Sequence, residues 1–440
     1  MMQIERNQLL TVLSESLDCI EKEVFGATGH HAKRVAWLCV QMGRKASLSE
    51  EDVEELAVAA LLHDNALNAY KSDYHNRRLK PEVSGQEHCI LGEENLQLVP
   101  GFEVSKGFVK YHHECADGSG PFKMVAEQTP LGAQLIHIAD EVDVRFALGS
   151  CTSEDCVEID SFVKESIGIL FAREVAELFL TCLSDANLEQ IADENIEKLT
   201  LDTKALIVNA HRGIAEIFAR VIDYKSPFTK NHSLGLAQKT EIMAKHMGYD
   251  DVSIDKLYMA AALHDIGKLF VDVEILEKPG RLDEAEYRHI QSHAYETYRL
   301  LSKINGFDEI RNWASYHHEK LNGTGYPFGK CGEEMNREER LLACLDIYQA
   351  LTEDRPYKAG MPHAKAVAIL QELVGKGELD EAIIAKINQV FADGSNAETI
   401  AAVALFQCPV CGYLYEGDVV PKGYECPVCG VADYKFYRIQ

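Results

Sequence analysis

Positive charge is scarce in this chain. Lys and Arg number 44 against 70 Asp and Glu, a formal net charge of −26 over 440 residues. That balance opposes non-specific binding to duplex nucleic acid or an anionic membrane, because the summed field repels polyanions. A phosphate-bearing ligand would need a local site built from metal ions and a few Lys or Arg. Long apolar runs are missing too. None approaches the roughly 20 residues that a membrane-spanning helix needs, so no membrane insertion is expected. Met1-Met2-Gln3-Ile4-Glu5-Arg6 lacks the pattern of a signal peptide, and a cytoplasmic location is expected. Nine of the 13 cysteines (Cys19, Cys39, Cys89, Cys115, Cys151, Cys156, Cys182, Cys331, Cys344) are scattered without a pairing pattern. They suit buried thiols rather than a disulfide framework. Residues 151–200 contain no Gly/Pro/Ser-rich linker and read as acidic, packed connecting helices.

Helical periodicity fills most of the chain, which is long enough for two or three domains. Residues 5–24 place Leu9, Leu10, Leu13, Leu17 and Ile20 on one side. Further helices are predicted from His31 to Gly43, over 50–63, near 84–98, 103–113 and 131–146, through Ile214, Phe218 and Ile222, and from about 232 to just before Gly248. Asp283 and Glu286 form a capping-box pattern that opens a helix carrying His289 and His293. Helices over 308–320, 337–353, 363–374 and 380–391 complete the reading.

The chain contains an internal repeat. His31 pairs with His232, and His63-Asp64 with His264-Asp265, both at a spacing of 201. His88 pairs with His293, and His112-His113 with His317-His318, at 205. Asp140 pairs with Asp346 at 206. Two copies of one all-helical module explain five polar landmarks in one order.

A lone His on a helix is ordinarily a satisfied core or surface group, and His211, His246, His289 and His363, outside the repeat, are read that way. Seven recurring groups are different. His232, His264, His293, His317, His318, Asp265 and Asp346 offer imidazoles and carboxylates in a number that suits two ions such as Fe, Mn or Zn. The apolar run Leu257–Leu263 presents His264-Asp265-Ile266-Gly267-Lys268 at a core wall. Lys268, four residues after His264, is expected on the same helical face, where a cation could stabilise a phosphoryl oxygen.

From roughly 206 to 395 the chain resembles the HD-GYP phosphodiesterases, a subgroup of the HD metal-dependent phosphohydrolases. The likeness rests on HDIGK at 264–268, Lys278-Pro279-Gly280, His293, HHEKLNGTGYP at 317–327, Asp346, and Asp354-Arg355-Pro356-Tyr357-Lys358. The resemblance implies a cyclic di-GMP substrate, hydrolysed to linear pGpG and often to GMP by a hydroxide activated at a dinuclear metal centre. It implies that the seven groups hold two divalent ions, Fe or alternatively Mn, with Asp265 bridging. Lys268 would contact the scissile phosphate and Arg355 and Lys358 would hold the phosphates, making Lys268, Asp265, Arg355 and Lys358 the catalytic set. Gly325, Tyr326 and Pro327 would shape the substrate cleft. Some members use a carboxylate four residues before the first His for a third metal. Phe228 stands there, so two are expected.

The first copy departs from this pattern. His31, His63, Asp64, His88, His112, His113 and Asp140 could form a second metal site, yet Leu67 stands where Lys268 stands. Gly120-Pro121-Phe122 takes the place of Gly-Tyr-Pro, and nothing after Asp140 matches the Arg355–Lys358 run. A non-catalytic partner module is expected, packed on the catalytic copy as a pseudo-dimer or serving a regulatory role. At the C-terminus, Cys408, Cys411, Cys426 and Cys429 form two CxxC pairs, a spacing that predicts a tetrahedral metal site. Residues 406–440 resemble a rubredoxin domain, which implies Fe with an electron-transfer role; a structural Zn site is the alternative.

The fold class is therefore mainly α: two tandem all-helical HD-type modules plus a small, four-cysteine, rubredoxin-like β domain. The expected divisions are 1–150, a degenerate module; 151–205, a helical connector; 206–400, the catalytic domain; and 401–440, the metal-binding tail. A redox-modulated phosphodiesterase is expected, with a homodimer and a redox partner for the tail among its partners. The alternatives are a 3′,3′-cyclic GMP-AMP phosphodiesterase, a non-hydrolysing cyclic dinucleotide receptor, and an HD-fold di-iron oxygenase.

Overall fold

The computed structural model describes residues 6–25, 28–67, 86–98, 107–152, 154–183, 185–192, 195, 210–225, 232–278, 280–354 and 359–392, and in the tail 405–407, 414–416 and 437–438. The repeat is visible as matching helices. His31–Lys45 corresponds to His232–His246, Glu50–Leu61 to Asp251–Leu263, Gln86–Leu96 to Glu284–Leu301, and Leu131–Phe146 to Arg337–Thr352. Even a cap recurs. The Ser49 side chain accepts from Asp52 N–H, and Asp250, 201 residues on, accepts from Ser253 N–H at 2.7 Å. Each cap satisfies an orphan donor and starts the apolar helix that carries the His-Asp pair at its end.

The N-terminal helix Arg6–Phe25 is buried on more than the one face its leucines suggest. Leu9, Leu13, Leu17 and Ile20 are buried, and so are Val12, Ser14 and Ser16. A helix buried on more than one face must be covered from more than one side. It packs on the helices at 31–45 and 50–61 of its own module, and also on 210–225, 266–270 and 284–301 of the second. Polar contacts fix the far side. Gln8 Nε2 donates to Lys303 O at 2.7 Å, Asn305 N–H donates to Gln8 Oε1 at 2.9 Å, and Lys303 Nζ meets Glu15 Oε2 at 2.6 Å.

The helices Asp155–Glu165 and Arg173–Cys182 fold back onto the first module, burying Ile159, Val163, Phe171, Val175 and Phe179. Ala116 and Asp117 N–H donate to Leu170 and Ile169 carbonyls at 3.0 and 3.1 Å, tying the segment to the loop after His113. The tail forms a three-stranded antiparallel sheet in which Leu405–Gln407 lies between Leu414–Glu416 and Tyr437–Arg438.

Two helices expected from periodicity are shorter or absent among the described residues. Residues 107–113, expected within a helix over 103–113, form turns. Gly107 has φ +73°, and Glu93 accepts from the N–H groups of Gly107, Val109 and Lys110 at 2.9 Å each, so a side chain takes the role of a helical turn. The helix expected over 308–320 ends at Ser315, and His317 and His318 sit in the turn beyond it.

Candidate metal centre

In the second module the pentapeptide begins where a helix stops. The helix Asp251–Leu263 is capped by His264, and Ile266–Phe270 continue as a tighter 3-10 turn. Lys268 therefore reaches the site through this turn and not along an α-helical face. Its Nζ lies 2.5 Å from Asp265 Oδ2, three residues back. Gly267 is required here by close approach: a Cβ would run into the His293 carbonyl, and Gly267 N–H donates to Thr297 Oγ1 at 3.0 Å. The same hydroxyl donates to His264 O at 3.0 Å, so Thr297 clamps the turn to the next helix.

All seven predicted groups converge. His264, His293 and His317 each place Nδ1 on the carbonyl three residues earlier, Ala261, Ile290 and Ala314, at 2.5–2.7 Å. That contact fixes the ring and leaves Nε2 as the lone-pair donor facing inward. His232 Nε2 is 3.0 Å from Asp346 Oδ1, with His264 Nε2 3.8 Å from the same oxygen. Asp265 turns Oδ2 to His264 at 3.1 Å and Oδ1 to His293 and His317 at 3.4 and 3.7 Å. Two ligand groups result, His232–His264–Asp346 and His293–His317–His318, each with donor atoms within 4.8 Å of one another. Asp265 lies between them. His318, 28% exposed at its side chain, forms the open edge, and the Tyr326 ring stands 4.7 Å from it.

The residues present fit divalent ions. His264 Nε2 and Asp265 Oδ1 are buried with no hydrogen-bond partner among the described residues, an arrangement that costs free energy unless a cation completes it. Charge states agree. Burial holds the His293 and His318 rings down at about 3 and about 4, and His317 well below its usual value, so these imidazoles are neutral. Burial disfavours ionised Asp265 and Asp346, but the neighbouring His264 and Lys268, and His232, outweigh it and hold both carboxyls far below the usual range. For His232 burial is likewise outweighed, by Asp346 and Glu353, which push it up to about 10. Ionised carboxylates and neutral imidazoles are the forms a metal takes up, so an ion on His232 would displace the proton that Asp346 and Glu353 favour there.

The first module gathers its own seven groups. His31 Nε2 is 3.2 Å from Asp140 Oδ1, and Asp64 lies 3.7 Å from each of His63, His88 and His112. His113 Nε2 is 3.1 Å from His88 Nε2. Leu67 is buried at the Lys268 position. The loop differs from the expected exchange. Phe122 and Met124 N–H donate to Glu114, as Phe328 and Lys330 N–H donate to Glu319. Gly120-Pro121-Phe122 thus matches Gly325-Pro327-Phe328, and Tyr326 is deleted rather than replaced. Arg355, Lys358 and Phe228, and the tail cysteines Cys408, Cys411, Cys426 and Cys429, lie outside the described residues.

Several site residues escaped sequence reasoning. Glu114 and Glu319 recur at the spacing of 205, as do Asp18 and Asp223, which accept from backbone N–H beside the first His of each module. The repeat could have found these four. Glu353 and Asp143, which contact His232 and His31, recur at no common spacing.

Comparison with known proteins gives matching stretches. Models of the HD domain match residues 28–145 and 216–383, and the rubrerythrin, rubredoxin-like domain matches 406–437. The 3′3′-cGAMP-specific phosphodiesterase 1 of Vibrio cholerae is 30% identical over 370 residues, covering 80% of this chain and 85% of that one. The cyclic di-GMP phosphodiesterase PA4108 of Pseudomonas aeruginosa is 34% identical over 149 residues, 34% of this chain and 36% of that one. The crystal structure of a cyclic GMP-AMP specific phosphodiesterase of V. cholerae superposes with a TM-score of 0.59 at 24% identity, over 88% of this chain and 97% of that chain.

Proposed function

Because the chain belongs to the HD-GYP family of metal-dependent cyclic dinucleotide phosphodiesterases, we propose that its second module hydrolyses a 3′,3′-linked cyclic dinucleotide at the seven-ligand centre. The observation that carries this reading is Lys268, a cation one-fifth exposed at the wall of a cage of carboxylates and imidazoles. Two divalent ions, Fe or Mn, would be held by His232, His264, Asp265 and Asp346 on one side and Asp265, His293, His317 and His318 on the other, and would supply an activated water and a Lewis acid.

The chain's own residues do the rest. The Lys268 ammonium moves from Asp265 to a phosphoryl oxygen, where it offsets charge that grows as the 3′-oxygen departs. Burial opposes its charge, but Asp265 keeps it protonated, so it donates rather than accepts. Tyr326, between His318 and His293, forms a wall of the cleft beside the open edge. Arg355 and Lys358 are proposed to hold the phosphates, with a two-pronged guanidinium contact that Lys alone could not give.

For the base, 3′3′-cGAMP is favoured by the relative that spans both modules, which carries that specificity in its name. Cyclic di-GMP, with pGpG or GMP as product, is favoured by the relative from P. aeruginosa. The first module is proposed to be a non-catalytic partner, and the tail to hold Fe that reduces or reports on Fe in the centre. The test is anaerobic reconstitution of the metal-free chain with Fe(II) or Mn(II), followed by product identification with each cyclic dinucleotide. Linear dinucleotide is the expected product. Recovery of both ligands unchanged from a metal-loaded chain would overturn the reading.

A further inference from the structure

Glu21 lies deep in the first module, on the helix Arg6–Phe25, and is 1% exposed. Neither carboxylate oxygen has a hydrogen-bond partner among the described residues. The same holds for His63 Nε2, which faces it. A Glu21 oxygen and one ring nitrogen each of His31 and His63 lie within 4.8 Å of one another. Asp140 Oδ1 stands 3.2 Å from His31 Nε2 and 3.9 Å from His63 Nε2, on the same ring atoms. A buried carboxylate left in this state is costly unless a cation completes it.

The second module's sequence has no carboxylate at the equivalent position. At the spacing that pairs Asp18 with Asp223, Glu21 pairs with Ser226, and where the second module has Lys268 the first has Leu67. With its carboxyl ionised on a bound cation, Glu21 gives the first site a negative charge that the second lacks, and Leu67 leaves it without the positive one. That exchange favours a cation and disfavours a phosphate anion. We propose that Glu21 completes a divalent-metal site with His31, His63 and Asp140, so that the first module holds an ion of its own in a setting built against phosphate. His63 draws its other nitrogen onto Ala60 O at 2.8 Å, and His31 onto Asp143 Oδ2 at 2.6 Å, so both rings are already oriented. The proposal rests on the reading of the first module as a metal site and not on hydrolysis by the second.

The test counts ions on the full chain. Mn(II) is titrated into metal-free protein and free Mn(II) is read by EPR, a probe that thiolate sites take poorly. Changing His264→Ala and Asp265→Asn first disables the second centre. The remaining Mn(II) is expected to bind at least tenfold more weakly when Glu21→Gln is added, with Glu21→Asp intermediate. Should Glu21→Gln fold poorly, judged by circular dichroism of the metal-free chain, His63→Ala removes the same ion from the opposite side. An unchanged isotherm in the folded variants, or no Mn(II) bound once the second centre is disabled, overturns the proposal. Hydrolysis by the wild type is measured apart from this, so either reading can fail alone.

Discussion

Glu353 holds His232 from outside the cage: His232 Nδ1 lies 2.9 Å from Glu353 Oε2 while Nε2 faces Asp346 at 3.0 Å. Behind it runs a chain of contacts. Gln349 Nε2 donates to Glu353 Oε2 at 3.1 Å, and Lys239 Nζ donates to Gln349 Oε1 at 2.6 Å. In the first module the same ring nitrogen, on His31, is served by Asp143 at 2.6 Å, and Arg34 grips that carboxylate at 2.7 and 3.0 Å. Gly235 stands at the Arg34 position because Gln349 fills the space a side chain would need. One orienting role is met by two different sets of residues.

Glu353→Gln should weaken metal retention in the second centre by roughly 10–100-fold, the usual effect of losing a partner that orients a ligand. Metal content after dialysis against a graded chelator checks it. Retention equal to wild type would show that Glu353 is a helix-end charge without influence on His232.

Lys268→Leu copies the first module into the second. Turnover should fall by about 10²–10³-fold, as for loss of one preorganised donor to a developing anion, while metal content stays at the wild-type level. Steady-state kinetics with metal analysis separates these. Unchanged hydrolysis would remove the charge argument that marks the Leu67 module as inactive.

Glu319 anchors the loop that carries Tyr326, accepting from Phe328 and Lys330 N–H at 2.7 and 2.8 Å. Glu319→Gln turns one acceptor into a donor facing a donor. About 1.5–3 kcal/mol of stability should be lost with each charge-assisted bond, and KM should rise more than kcat falls. Denaturant titration and kinetics read the two effects. A change in kcat alone would place Glu319 in the chemistry instead.

Asp223 gives a pH dependence. Burial pushes its carboxyl up from 3.8 to about 7, against the lowering effect of the Ser233 hydrogen bonds and His232. Between about 4 and 7 the folded chain keeps a proton that the unfolded chain has lost, so this contribution to stability is full below about 4 and gone once pH passes 7. In metal-free protein, Asp223→Asn should therefore gain melting temperature relative to wild type as pH rises from about 5 to about 7.5. The opposite trend would mean the carboxylate is ionised and favourably paired.

The sequence by itself determined the two modules, most of their helices and the fourteen candidate cage residues, because spacing along the chain repeats whenever a fold repeats. The capping box at Asp283 and the buried run Leu257–Leu263 were legible for local reasons of the same kind. What only the tertiary structure decided concerns groups whose partners are distant in sequence. Lys268 reaches Asp265 because the helix stops at Leu263 and tightens, which propensity does not foretell. Glu21 matters because its helix is enclosed between two modules and delivers a carboxylate to rings that follow ten and forty-two residues later. Glu353 and Asp143 solve one problem from different turns, so no repeat reveals them. Burial removes water as a partner, and which polar atoms then meet is settled by packing.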